Sequence, residues 1–249
     1  ALAFYDAIVD ADQGEGVAVL FGNYAGDNMN VKMAVQMAED DDIEVKYVVA
    51  NDDVASAPKA VKEQRHGIAG GFFMWKVGGA RAAKGGSLDD VIATAQNVVN
   101  RTKSICVGLE PCVIPALGHS NFKIEDGTME FGVGHHGEAG TKVEKLKSAS
   151  EMAQEMAETI LNDFDFEEGK EVAVMLSGLG ATPVMELYVL YDEVEKVLAK
   201  AGHKVWKTYI GNYVTSLDMN GASLTIVDLD DEIKELLSEP AVPIGMKNY

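Results

Sequence analysis

The stretch Phe131-Gly132-Val133-Gly134-His135-His136-Gly137-Glu138-Ala139-Gly140 sets two adjacent histidines and a glutamate among four glycines. Glycine adopts backbone angles closed to other residues, so such a loop can approach a ligand closely. A neutral imidazole can act as base or nucleophile near pH 7. The plainer alternative is a strand leaving Met129-Glu130-Phe131 into a turn with two solvated histidines. A second candidate is Asp27, which follows the turn Gly22-Asn23-Tyr24-Ala25-Gly26. It stands where a strand ends and a helix begins, the place where open α/β sheets bind ligands. Aspartate is also a good helix N-cap. A carboxylate there would not help a phosphate, because helix N-termini attract anions by themselves. It would suit a base that takes the proton of a neutral hydroxyl.

The elements that must position these residues are legible from periodicity. Residues 3 to 10 carry apolar positions at helical spacing. Val17-Ala18-Val19-Leu20-Phe21 reads as a buried strand, Asn28 to Ala38 as a helix, and 43 to 49 as a second strand. That β-α-β order implies parallel strands joined by a right-handed crossover. The segment from Phe72 to Ala80 reads as a buried helix, its aromatics belonging to the core. Arg65 and His66 read as a solvated turn. Ser87 caps a helix that runs to about Lys103, and Ser104 to Leu109 forms a strand. Glu110 to Gly118 holds two prolines and serves as the boundary between halves. Beyond it Ser148 or Ser150 starts a helix, and Glu171 to Leu176 forms a strand. Thr182 is expected as N-cap and Pro183 as first residue of a helix reaching Lys200. Lys204 to Ile210 and Ser223 to Asp228 are further strands, and Asp230 to Ser238 a last helix. The fold class is therefore α/β: two α/β halves with mainly parallel sheets, residues 1–112 and 113–249, and the active site between them.

Composition narrows the function. Apolar residues form 47% of the 249-residue chain, enough for a sizeable core. The formal charge of −19 argues against nucleic acid and anionic membranes as partners. Cys106 and Cys112, spaced C-x5-C, are too few for a metal site and read as buried thiols. No apolar run is long enough to span a bilayer, and the first residues lack the basic region of a signal peptide. A cytoplasmic location is expected. The glycine turn before Pro183 lacks the G-K-[ST] of a phosphate-binding loop, and no nucleotide-phosphate motif occurs elsewhere.

Seven stretches together carry a resemblance. They are Gly22-Asn23-Tyr24-Ala25-Gly26-Asp27, Asp52-Asp53-Val54-Ala55-Ser56, Arg65-His66-Gly67-Ile68-Ala69-Gly70, Leu109-Glu110-Pro111-Cys112, Gly132 to Glu138, Gly178 to Tyr188, and Gly211 to Met219. In this order they resemble the ketose-binding first domain of the dihydroxyacetone (glycerone) kinase family. The resemblance implies that His136, which directly precedes Gly137-Glu138, attacks the ketone and holds it as a covalent hemiaminal; His135 fills a variable position. It implies that Asp27 is the base for the hydroxyl that receives the phosphoryl group, and places Asn23 and Gly22 beside the substrate. No cofactor is expected on this chain. ADP or ATP with magnesium is expected on a partner subunit, fed by ATP or by the phosphotransferase system. A homodimer is also implied.

Two departures accompany the resemblance. Family members carry a front segment with a G-H-E-P-x-H motif, and the residues here start after it: either a separate chain or segment supplies it, it was lost by cleavage, or the protein lacks it. Well-studied members have a lysine directly before the N-Y-x-G-D turn, where this chain has Gly22. This leaves room for another short ketose such as erythrulose, or for a non-catalytic ketose sensor that regulates transcription.

Overall fold

The computed structural model describes residues 1–120, 122–165 and 169–243. The first half runs α1 (Leu2–Ala11), β1 (Val17–Gly22), α2 (Ala25–Asp40), β2 (Val45–Ala50), a short 3-10 helix (Lys59–Gln64), α3 (Gly71–Ala83) and α4 (Leu88–Asn100). The chain continues as β3 (Thr102–Glu110), β4 (Thr128–Phe131), β5 (Lys142–Lys145), α5 (Ala149–Asp163), β6 (Glu171–Gly178), α6 (Val184–Lys200), β7 (Lys204–Gly211), β8 (Asn220–Asp228) and α7 (Asp231–Ser238). Ser87 and Ser148 both make capping boxes, with Asp90 and Glu151 as the reciprocal partners. Each box satisfies two backbone N–H groups that a helix start would otherwise leave open.

β1 and β2 form a parallel pair. The other strands form one sheet in the order β5-β4-β3-β8-β6-β7. The α/β class is as expected, but strand direction in the larger sheet is not mainly parallel. Only β6–β7 is parallel there; β3–β4, β3–β8, β4–β5 and β6–β8 are antiparallel. The reason is connectivity. A parallel pair needs a crossover, usually helical. α6 provides one between β6 and β7, whereas β7 reaches β8 through a loop without a helix. The returning strand then inserts antiparallel between β3 and β6. β3 also precedes the division expected at 112–113 yet pairs with β4 and β8, so that division does not coincide with an edge of the sheet.

Side-chain alternation along β6 explains the layering. Val172, Val174 and Leu176 face α5 and α6, meeting Met156, Ile160, Leu187 and Val194. Ala173 and Met175 face the other way, toward Phe73, Val77, Val98 and Ile233 of α3, α4 and α7. Period-two alternation between two helical layers produces a strand buried on both faces. α3 and α4 also pack against β1 and β2, where Val48, Ala50 and Leu20 join the same core. α1 and α2 cover the opposite face of that pair with Ile8, Val31, Ala34 and Ala38. The two sheets thus share one helical layer, with α3 and α4 between them. Burial of each large apolar side chain stabilises by about 1.5–3 kcal/mol before entropy is counted.

The sheets are also joined directly. Ser104 N–H donates to the Asp52 carbonyl at 2.8 Å, and Val54 N–H donates to the Ser104 carbonyl at 3.0 Å. The chain leaving β2 therefore docks on β3 and carries the loops above it into a fixed position. Thr182 does not cap α6, whose N-cap is Pro183. Its hydroxyl donates to the Gly221 carbonyl at 2.6 Å and accepts from Gly221 N–H at 2.8 Å, so it ties the loop to β8 instead.

Candidate functional site

The turn after β1 is held from several sides. Asn23 N–H donates to the Ala50 carbonyl at 2.9 Å, and Tyr24 N–H to the Gly22 carbonyl at 3.0 Å. The Asn23 amide donates to the carbonyls of Arg65 (2.6 Å) and Glu63 (3.1 Å) and accepts from Asn28 (2.8 Å). α2 then begins, with Tyr24 as its N-cap and Asp27 inside its first turn. Asp27 is therefore not the cap. A neighbouring turn closes over this one: a Cβ on Gly67 would lie 2.4 Å from the Ala50 carbonyl oxygen and 2.7 Å from Gly22 Cα, so only glycine fits there. The buried Asp52 carboxylate anchors that turn by accepting from Ile68 N–H at 3.0 Å and Gly70 N–H at 2.7 Å. Arg65 is not solvated: it is 1% exposed and makes a two-point contact with Asp163, both bonds 2.7 Å. Two parallel charge-assisted bonds compensate the desolvation of that guanidinium.

The histidine loop is built differently. Gly132, at φ +76°, turns the chain out of β4, and its N–H donates to the Cys106 carbonyl at 2.7 Å. Gly134 N–H donates to the Glu138 carbonyl at 2.9 Å, folding the loop back on itself. The Glu138 carboxylate accepts from His136 N–H at 2.9 Å and lies 3.4 Å from His136 Nδ1. Burial pushes the Glu138 carboxyl up. Hydrogen bonds from its own and the His136 backbone N–H, with the His136 and His66 imidazoles nearby, outweigh this and hold it below the usual range. An ionised carboxylate beside Nδ1 favours the tautomer with the proton on Nδ1, leaving Nε2 as the nucleophilic nitrogen.

His135 and His136 separate in environment. Burial, then the neighbouring His136, pulls His135 down to about 4, so it is neutral at pH 7. Its Nε2 lies 4.0 Å from Cys106 Sγ, and its carbonyl accepts a hydrogen bond from the Ser216 hydroxyl. The His136 side chain keeps 63% of its surface exposed and faces solvent. Its ring packs against that of Tyr24, centroids 4.5 Å apart and planes at 69°.

A third segment completes the site. Ser177, at the end of β6, accepts from Tyr213 N–H and Val214 N–H through one hydroxyl, both at 3.0 Å. Ser216 N–H donates to the Leu179 carbonyl at 2.8 Å. This clamps residues 213–217 against the histidine loop.

These segments enclose a cleft of about 600 Å³, lined by Gly22, Tyr24 and Asp27 from the first half and by His135, His136 and Ser216 from the second. The size is that of a small-molecule site. Three of the four residues expected at the substrate, Gly22, Asp27 and His136, border this space. Asn23 does not; its side chain is turned to Glu63 and Arg65. Tyr24 and Ser216 belong to stretches the sequence singled out, but residue type alone assigned them no role. Among the described residues no group of three or more His, Cys, Asp and Glu side chains is placed to hold a metal ion. No helix among them is long and apolar enough to cross a membrane. Cys106 and Cys112 are free and buried.

Residues 1–244 match the Dak1 domain. The chain belongs to the Dak1 domain family. This Dak1 chain is 41% identical over 228 residues to the dihydroxyacetone-binding subunit DhaK of PTS-dependent dihydroxyacetone kinase 1 of Listeria innocua serovar 6a, covering 92% of the chain and 69% of the relative. It is 38% identical to the D-erythrulose kinase of Mycolicibacterium smegmatis over 226 residues, 91% of the chain but 39% of that enzyme. Among solved structures, the dihydroxyacetone kinase operon co-activator Dha-DhaQ superposes with a TM-score of 0.89 at 29% identity, covering 95% of this chain and 73% of the other. These relatives bear out the dihydroxyacetone kinase resemblance drawn from the motifs.

Proposed function

We propose that this chain is the ketose-binding subunit of a dihydroxyacetone kinase, holding a short ketose on His136 while Asp27 prepares its terminal hydroxyl. The observation that carries the reading is that Asp27 and His136, from separate halves of the chain, line the same cleft.

A short polyol is uncharged and small, so few contacts can hold it: ligands yield at most about 1.5 kcal/mol per heavy atom. A reversible bond compensates for this. His136 Nε2 forms a C–N bond to the carbonyl carbon, and the C=O π pair moves to oxygen, which takes a proton from solvent in the open cleft. Nδ1 releases its proton to Glu138, 3.4 Å away, leaving a neutral hemiaminal. An alcohol such as glycerol has no carbonyl to add to, and is discriminated against. Asp27 then accepts the proton of the terminal hydroxyl as that oxygen attacks phosphorus. A nucleotide with magnesium, carried by a partner subunit, supplies the phosphoryl group. In this reading the protein acts in the cytoplasm as a homodimer.

The identity to a D-erythrulose kinase and the bare Gly22 support erythrulose as an alternative ketose. The close superposition on a co-activator supports a second reading, a non-catalytic ketose sensor. Asp27 favours the kinase, because a sensor needs the nucleophile and not the base.

The test is to mix the protein with dihydroxyacetone or erythrulose labelled with carbon-13 at the carbonyl and to follow that carbon by NMR, with His136→Ala locating the adduct. Conversion of the carbonyl signal to that of a tetrahedral carbon, lost in His136→Ala, is expected with either ketose; no such label, or one that survives His136→Ala, refutes the proposal. Turnover with a donor subunit, lost in Asp27→Asn, separates kinase from sensor.

A further inference from the structure

Among the described residues, the exposed His136 imidazole is oriented by two side chains: the Glu138 carboxylate at 3.4 Å and the Tyr24 ring, whose centroid lies 4.5 Å away with the planes at 69°. With 63% of the His136 side chain open to solvent, neighbouring core atoms do little to restrict its rotamers. Glu138 belongs to the same loop and moves with it. Tyr24 belongs to the other half of the chain.

Tyr24 is itself well fixed. Its carbonyl accepts from Asn28 N–H at 2.9 Å and from the Asn28 amide at 3.0 Å, and its N–H donates to Gly22 at 3.0 Å. The ring also stacks on His66, centroids 4.9 Å apart and planes within 16°. Its hydroxyl is buried and finds no hydrogen-bond partner among the described residues. The ring, then, is held by backbone and stacking, not through its hydroxyl. Three residues further along, the same helix start carries Asp27.

We infer that Tyr24 is a positioning residue: its ring sets where the His136 imidazole stands relative to Asp27, so that one captured ketose can meet nucleophile and base together. This rests on the reading of His136 as the ketose-capturing group. An imidazole misplaced by about 1 Å would lose up to about a hundredfold in rate.

Labelling by dihydroxyacetone carrying carbon-13 at the carbonyl tests it on the full chain, with the rate at which the tetrahedral adduct forms read by NMR and expressed per folded molecule. Tyr24→Leu removes the ring and is expected to slow labelling of His136 by about tenfold or more. Tyr24→Phe keeps the ring and is expected to label within about twofold of the unaltered protein, melting no lower, because the hydroxyl it loses has no partner to forfeit. Rescue by phenylalanine distinguishes a ring that positions from a hydroxyl that reacts. His66→Ala removes the stack behind the ring and is expected to slow labelling by about threefold. If Tyr24→Leu labels as fast as the unaltered protein, or Tyr24→Phe as slowly as Tyr24→Leu, the inference is overturned. Should Tyr24→Leu fail to fold, His66→Ala decides, and an unchanged rate there overturns it. An unaltered protein that takes no label refutes the ketose reading instead, which is a different result.

Discussion

The two arms of the cleft hold their functional residues in opposite ways. The arm bearing Asp27 is tied down by backbone and side-chain bonds from three other segments: Asn23 reaches Ala50, Glu63 and Arg65, while Gly67 presses against Gly22 and Ala50. The arm bearing His136 is held largely by its own atoms, through Gly134 to Glu138 and Glu138 to His136, with Ser216 as an outside tether to His135. In the function proposed above, the base at Asp27 would have to be fixed in advance. The proposed nucleophile at His136, which would first admit a ketone and then close on it, would benefit from exposure. The contrast teaches that the cleft has one rigid wall and one adjustable one.

The widest break between the arms is expected from their functional side chains. His136→Ala should abolish labelling by the carbon-13 ketose altogether. Asp27→Asn should leave labelling intact while turnover with a donor subunit falls by about 10²–10⁴-fold. Loss of both activities in both variants would show that the arms do not divide the work.

Glycine substitutions sharpen the comparison. A Cβ on Gly67 would meet backbone atoms at 2.4 and 2.7 Å, which cannot yield cheaply. Gly67→Ala is expected to destabilise the fold by about 1–3 kcal/mol, read from the urea midpoint. A Cβ on Gly134 would meet Glu138 Oε2 at 2.2 Å, which can swing away, and Glu138 Cβ at 2.8 Å, which moves only with the loop backbone. Because that loop is held largely by its own atoms, Gly134→Ala should cost less stability than Gly67→Ala but slow labelling, because Glu138 leaves His136. Equal stability losses would contradict the rigid-and-adjustable division.

Smaller effects are expected from pH. Burial raises the Asp53 carboxyl to about 7 in the folded protein, against an ordinary value of 3.8. Between these values the folded state binds more protons than the unfolded one. Asp53 thus favours folding at low pH and disfavours it as pH rises from about 4 to 7, by at most about 1.4 kcal/mol per pH unit. His135 acts in the opposite sense. Its imidazole sits at about 4 against an ordinary 6.5, so its share of stability is present above 6.5 and is lost as pH falls to 4. The two slopes oppose each other between about 4 and 6.5. Asp53→Asn should make stability rise more steeply with pH in that window, and His135→Gln should make it fall. Unfolding free energies measured across pH 4–7 in the two variants check the signs.

The sequence by itself determined the elements and the candidate chemistry. Helix and strand periods are local properties, as are the Ser87 and Ser148 caps, and both were legible. So was the glycine-histidine loop as a candidate site, while the choice of His136 over His135 came from the family resemblance. Only the tertiary structure decided the partners. Thr182 looked like a cap and was diverted to Gly221. Arg65 looked solvated and was buried against Asp163. Asn23 was expected at the substrate and instead braces its turn. β8 inserted antiparallel where a parallel strand was expected. In each case the deciding contact joins residues far apart in the chain, set by how two sheets bury their faces on one shared helical layer. Local propensity carries no information about that, and the meeting of Asp27 with His136 across one cleft has the same origin.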